Sequence, residues 1–89
     1  MLKCSISKQA SKFLAKAHPK HAKQIACKLF ELQQNPFPHD SIQLKGQHSN
    51  LHRTNVGEYR VIYFIKENIL FILIIGKRND GEVYKLLTR

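Results

Sequence analysis

The alternation of apolar and polar positions divides the chain into a helical first half and a strand-forming second half. Leu2 to Ile6 is a short run containing a β-branched residue. It ends at Ser7, whose hydroxyl can accept a hydrogen bond from a free backbone N–H, so a strand followed by a helix is predicted. From Lys8 the side chains of Ala10, Phe13, Leu14 and Ala17 recur at helical spacing. Pro19 interrupts them because it lacks an N–H and restricts His18 to extended backbone, which stops the first helix near Ala17. Pro19 suits the opening turn of a second helix. There Ala22, Ile25, Ala26, Leu29, Leu32 and Gln33 trace one stripe until Asn35, Pro36 and Pro38 break it. Two packed helices, an α-hairpin, are expected.

Beyond the prolines the pattern changes. Leu51 to Asn55, Glu58 to Lys66 and Ile69 to Gly76 read as strands joined by turns at Val56-Gly57 and at Lys66-Glu67-Asn68. The order predicts an α+β fold: an N-terminal strand, then a two-helix hairpin packed on one face of an antiparallel β-meander sheet. Ile69 to Ile75 lacks polar alternation, which predicts a strand covered on both faces, whether as a central strand, by the C-terminal tail or by a partner chain. Phe13, Phe30, Phe64, Tyr59 and Tyr63 are expected to pack in the interior. Gly76 fits a strand end that re-aims Lys77 and Arg78, and Asn79, Asp80 and Gly81 fit a turn.

Composition narrows the class. With 89 residues, the chain is read as one domain spanning 1–89. Fifteen Lys plus Arg against six Asp plus Glu give a net charge of +9, while 43% of residues are hydrophobic, so a folded basic domain is expected. Its field favours polyanions, nucleic acid first. Cys4 and Cys27 form neither a CxxC pair nor a disulfide framework, and the N-terminus lacks the apolar core of a signal peptide, so reduced thiols in a soluble cytoplasmic protein are expected. The longest apolar run falls far short of the roughly 20 residues of a membrane helix, so no membrane partner is expected.

The charge is unevenly placed. Residues 1–35 hold seven lysines and one acid, Glu31. Lys8, Lys12 and Lys16 form one ridge on the first helix, and either a solvated polar face or a phosphate-tracking surface accounts for it. In the strand half, arginine offers a planar fork suited to phosphate oxygens. A hairpin turning at Val56-Gly57 sets Arg53 directly opposite Arg60, where like charges destabilise a sheet. A three-residue loop at Lys66-Glu67-Asn68, with Asn68 left-handed, then projects Arg78 from the Arg60 face, whereas an even loop turns it away. Three guanidinium groups on one face point to an anion site, with phosphate the fitting ligand.

At these residues the chain resembles the RelE family of ribosome-dependent messenger-RNA endonucleases, the toxins of type II toxin–antitoxin pairs. Leu44-Lys45-Gly46, Tyr59-Arg60-Val61-Ile62-Tyr63, Gly76-Lys77-Arg78 and Glu82-Val83-Tyr84 follow one another as the family's landmarks do. The resemblance implies metal-independent cleavage without a cofactor, by attack of the RNA 2′-hydroxyl on the adjacent phosphate in the ribosomal A site. It implies catalytic roles for Arg53, Arg60, Arg78 and Tyr84, and RNA contacts for Lys45, His48, His52, Asn55 and Lys77. It also implies ribosomal RNA contacts for Lys8, Lys12, Lys16, Lys20 and Lys23. The implied partners are a cognate acidic antitoxin, the ribosome and messenger RNA, with operator DNA reached only through the antitoxin complex. Arg53 matches the first of two basic positions in the family, but Asn55 stands at the second and supplies no cation, leaving Lys45, His48 or His52 to compensate in proton transfer.

Competing roles exist for several of these side chains. His18 and His21 flank a helix start without an acidic or cysteine ligand nearby, so a metal site is not expected. His39 fits a structural place in a proline-rich loop, and His48 and His52 fit surface packing as well as proton transfer. Tyr84, among Val83, Leu86 and Leu87, could equally anchor the C-terminal segment. Two further readings remain open: a ParE-like inhibitor of DNA gyrase, which shares the architecture but lacks the nuclease side chains, and a weakened member that mainly binds its antitoxin.

Overall fold

The computed structural model describes residues 1–78 and 81–87. Strand β1 (Lys3–Ile6) leads into helix α1 (Lys8–Lys16) and helix α2 (Pro19–Gln34). Strand β2 (Ile42–Gln43), a 3-10 turn (Gly46–His48), strands β3 (His52–Val56), β4 (Tyr59–Lys66) and β5 (Ile69–Lys77), and helix α3 (Glu82–Leu87) follow. The caps form as the sequence predicts. Ser7 Oγ accepts from the Ala10 N–H at 3.1 Å, and Pro19 occupies the first turn of α2 behind His18, whose Nδ1 accepts from the Lys20 N–H at 3.2 Å.

One five-stranded sheet runs β1-β5-β4-β3-β2, with β1 parallel to β5 and the other neighbours antiparallel. Ser7 caps α1 and ties it to the sheet twice, its N–H donating to the Ile72 carbonyl at 2.9 Å and its hydroxyl to the Leu73 carbonyl at 2.6 Å. Gln9 then continues where β1 stops: its amide donates to the Ile75 carbonyl at 2.9 Å and accepts from the Ile75 N–H at 3.0 Å, imitating a strand.

Both hairpin registers differ from the sequence expectation. The first turn is Gly57-Glu58, because Gly57 takes the positive φ (57°) that a two-residue hairpin needs at its first central position. Arg60 therefore faces Asn55, and Arg53 faces Ile62. A shift of two residues leaves every side chain on its expected face, so Arg53 still shares the face of Arg60. The second turn is also a two-residue one, Glu67-Asn68, with φ 51° and 67°, not the three-residue loop predicted. Such an even loop would turn Arg78 away, but a bulge intervenes. Ile62 pairs with Ile74 while Tyr63 pairs with Ile72, leaving Leu73 as the extra residue and restoring Arg60 opposite Gly76. The Leu73 carbonyl is the one Ser7 satisfies.

The sheet is covered on both faces. Ala10, Ile25, Leu29 and Leu32 of the helices bury Val61, Tyr63, Leu70, Ile72 and Ile75, and the Tyr63 hydroxyl donates to the Pro36 carbonyl at 2.6 Å. On the opposite face Val83, Leu86 and Leu87 of α3 pack with Leu51, Ile62 and Ile74, and α3 rests chiefly on β5. Ile69 to Ile75 is thus a central strand with the C-terminal helix over one side, as two of the expected explanations held. Phe30 is a correction: it lies 56% exposed on α2, because the buried stripe runs through Ile25, Leu29 and Leu32 and leaves it on the outer side. The turn expected at Asn79, Asp80 and Gly81 falls, apart from Gly81, outside the described residues.

Candidate active site

The α3-bearing face is only partly roofed by apolar side chains, and its remainder is polar. Arg60, half-buried on β4, sits between Asn55 on β3 and Gly76 on β5. Its Nε donates to Asn55 Oδ1 at 2.9 Å, and its Nη1 donates to Tyr84 Oη at 3.0 Å. The guanidinium carbon lies 5.6 Å from the Tyr84 ring centroid, so the ring and hydroxyl both border the cation. Tyr84 reaches this position because Val83, one residue earlier, is fully buried and anchors α3, leaving Tyr84 36% exposed.

Arg53 and Arg78 flank this triad. Arg53 lies two residues before Asn55 on β3, half-buried and on the same face. Arg78 is exposed beyond β5, and its N–H donates to the Glu58 carbonyl at 3.0 Å, so the ladder continues and carries it two residues past Gly76 on the Arg60 side. The hydrogen-bond partners of Arg60 among the described residues are uncharged, whereas Lys28 on α2 pairs with Asp40 at 2.8 Å and Glu31 at 3.4 Å. Burial lowers the Lys28 pKa, but the hydrogen bond and charge of Asp40, then Glu31, outweigh it and leave the ammonium above its ordinary value. The arginine face is chemically an anion receptor: forked donors with no carboxylate partner among the described residues, beside an aromatic ring.

Other candidates are dispersed. Lys45 is exposed ahead of the 3-10 turn that ends at His48, and Leu44 and Leu51 fasten this loop to the apolar cluster on the arginine face. His52 is a correction. It points to the helical side of the sheet with Thr54 and Val56, its ring 4.9 Å from Phe37 and 5.7 Å from Tyr63, and burial pushes its imidazole pKa down. The sheet lies between its ring and the Arg60 side chain. Lys8, Lys12, Lys16, Lys20 and Lys23 are exposed on the helices, also across the sheet from Arg60. Lys77 sits opposite Tyr59 and lines, with Gln9, Lys12, Phe13, Lys16, Ala17 and Tyr59, a groove of about 430 Å³ on that helical side.

Sequence reasoning missed the link between Asn55 and Arg60, which a turn read as Gly57-Glu58 would have revealed. It also missed the 2.7 Å hydrogen bond between the Tyr59 hydroxyl and His21 Nδ1, for which residue spacing gives no signal. Among the described residues no group of three or more His, Cys, Asp or Glu could hold a metal ion, and no helix is long and apolar enough to cross a membrane.

Comparison with known proteins agrees with this architecture. The archaeal RelE–RelB complex from Pyrococcus horikoshii OT3 contains a chain with 28% identity and a TM-score of 0.77, covering 89% of this chain and 97% of that one. The isolated RelE toxin of E. coli superposes with a TM-score of 0.75 at 23% identity, covering 99% of this chain and 96% of that one. A chain of the RelBE2 toxin–antitoxin complex from Mycobacterium tuberculosis gives 0.76 at 20% identity, covering 86% and 98%. No curated protein sequence matches. The family model for the ParE toxin of type II toxin–antitoxin systems (parDE) matches residues 5–81. This chain belongs to that ParE toxin family, within the RelE/ParE superfamily of type II toxins.

Proposed function

We propose that this toxin is an endoribonuclease that cleaves messenger RNA in the ribosomal A site. The observation that carries the reading is Arg60, held between Asn55 and Tyr84 with Arg53 and Arg78 on the same face and no carboxylate partner among the described residues. In the reaction the RNA 2′-oxygen bonds to the adjacent phosphorus, losing its proton, while the bond to the 5′-oxygen breaks and that oxygen takes up a proton. The five-coordinate phosphorus carries more negative charge than the ground state, and fixed guanidinium donors bind it better. Arg60 and Arg78 serve the non-bridging oxygens, Arg53 adds field along β3, and the Tyr84 ring stacks on or orients a base. Lys45 and His48 extend the RNA path, and Lys77, which faces the helical side beside Tyr59, joins the helical lysines in binding ribosomal RNA.

An antitoxin partner follows from the type II class, and solved relatives are complexes with RelB. An acidic, amphipathic antitoxin complements the groove of Phe13, Ala17 and Tyr59 rimmed by Lys12 and Lys16. Primer extension on messenger RNA from cells expressing wild type or Arg78→Ala tests the activity. Cleavage sites present in wild type and lost in the variant are expected; identical patterns, or none in either, reject it. Inhibition of DNA gyrase is the second reading, favoured by the ParE toxin family model. Loss of supercoiling by purified gyrase with messenger RNA left intact would establish it instead.

A further inference from the structure

We propose that Asn55 is a positioning residue for Arg60, a role that rests on the nuclease reading for its catalytic consequence. Arginine Nε can only donate, so the 2.9 Å contact fixes the Asn55 amide with its oxygen toward Arg60. Asn55 and Arg60 are directly paired across β3 and β4, which makes the contact a product of register and not of chance side-chain reach. With Nη1 held by Tyr84 Oη at 3.0 Å, the guanidinium is gripped at two nitrogens, and among the described residues none bonds Nη2, the nitrogen that would meet an anion. Both grips are neutral. A carboxylate at position 55 would orient the fork equally well but cancel its charge, and a lysine would add charge but repel the fork and offer no acceptor. Asparagine is the residue that fixes direction while leaving the full positive charge for the substrate phosphate.

A positioning residue differs from a plain RNA contact. Its substitution should disturb Arg60 before any RNA is present, and should lower the rate of chemistry more than binding, since misplacement of a catalytic group by about 1 Å costs on the order of 100-fold. The experiment uses the full isotopically labelled chain and compares wild type with Asn55→Ala, Asn55→Asp and Asn55→Lys. The hydrogen-exchange rate of the Arg60 Nε–H is read by NMR, and single-turnover cleavage of messenger RNA on programmed ribosomes is read beside it. Slow Nε–H exchange is expected in wild type and Asn55→Asp, at least about 10-fold faster exchange in Asn55→Ala and Asn55→Lys. Cleavage by Asn55→Ala falls about 100-fold in kcat with KM within about threefold, whereas Asn55→Asp, with the fork in place but its charge offset, lowers kcat and raises KM as well. Unchanged Nε–H exchange in Asn55→Ala overturns the proposal, and so does an Asn55→Lys variant that cleaves faster than wild type. Absence of cleavage by the wild type itself overturns the nuclease reading, and the exchange rates alone then decide whether Asn55 holds Arg60.

Discussion

Ser7 makes two bonds with one oxygen, and replacing it separates a local effect from a long-range one. The hydroxyl accepts from the Ala10 N–H at 3.1 Å and donates to the Leu73 carbonyl at 2.6 Å, 66 residues away. Ser7→Ala removes the helix cap, which costs about 1 kcal/mol, and leaves the bulge carbonyl of a partly buried strand short of a donor, which costs about 1 kcal/mol more. For a domain of this size each kcal/mol lowers the melting temperature by about 5 °C, so a drop of about 10 °C is expected. Ser7→Asp provides the control, because a carboxylate caps a helix well but cannot donate to Leu73; it should recover about half of the loss. Thermal and urea unfolding followed by circular dichroism measure both. A loss in Ser7→Ala below about 0.5 kcal/mol, or an Asp variant as stable as wild type, would refute the claim that one hydroxyl serves both the helix and the bulge.

Three further outcomes follow from the same geometry. Gly57→Ala should lose about 1–2 kcal/mol in urea titration, because position 57 has φ +57° and a Cβ there would meet the Gln24 side chain at 3.0 Å. Burial holds the folded pKa of His52 below its ordinary value of 6.5, so the unfolded chain binds the proton first as pH falls. The stability His52 supports is therefore full above pH 6.5 and is lost as the pH falls from there through its folded pKa, and His52→Phe should flatten that part of the stability–pH profile. Tyr84→Phe keeps the ring beside Arg60 and loses only the 3.0 Å hydrogen bond, so cleavage should fall about 10-fold, less than for Tyr84→Ala, in single-turnover assays.

The helical half was legible because its signals are local. Ser7, the Ala10-Phe13-Leu14 spacing and Pro19 act within a turn or two, and each behaves as its chemistry requires. The arginine face was legible for a different reason: strand side chains alternate with period two, so an error of two residues in the first hairpin still left Arg53 and Arg60 on one face. Arg78 reached that face by a route the sequence does not display. The even Glu67-Asn68 turn would have reversed it, and the bulge at Leu73, supported by Ser7 from the far end of the chain, compensates. What could not be read was what depends on contacts distant in sequence: the outward turn of Phe30, the burial of His52 against Phe37 and Tyr63, and the Tyr84–Arg60 bond made when α3 folds back.

In the proposed reaction Arg60 stabilises a phosphorane formed by 2′-hydroxyl attack. Single-turnover cleavage on ribosomes programmed with messenger RNA, all-ribose or carrying one 2′-deoxynucleotide at the cleaved position, tests it with wild type and Arg60→Ala. Rapid cleavage of the all-ribose message by wild type, a loss of about 100-fold or more on removing Arg60, and no cleavage at the deoxy position by either protein are expected. Cleavage of the deoxy message, or an Arg60→Ala variant as fast as wild type, would contradict this mechanism.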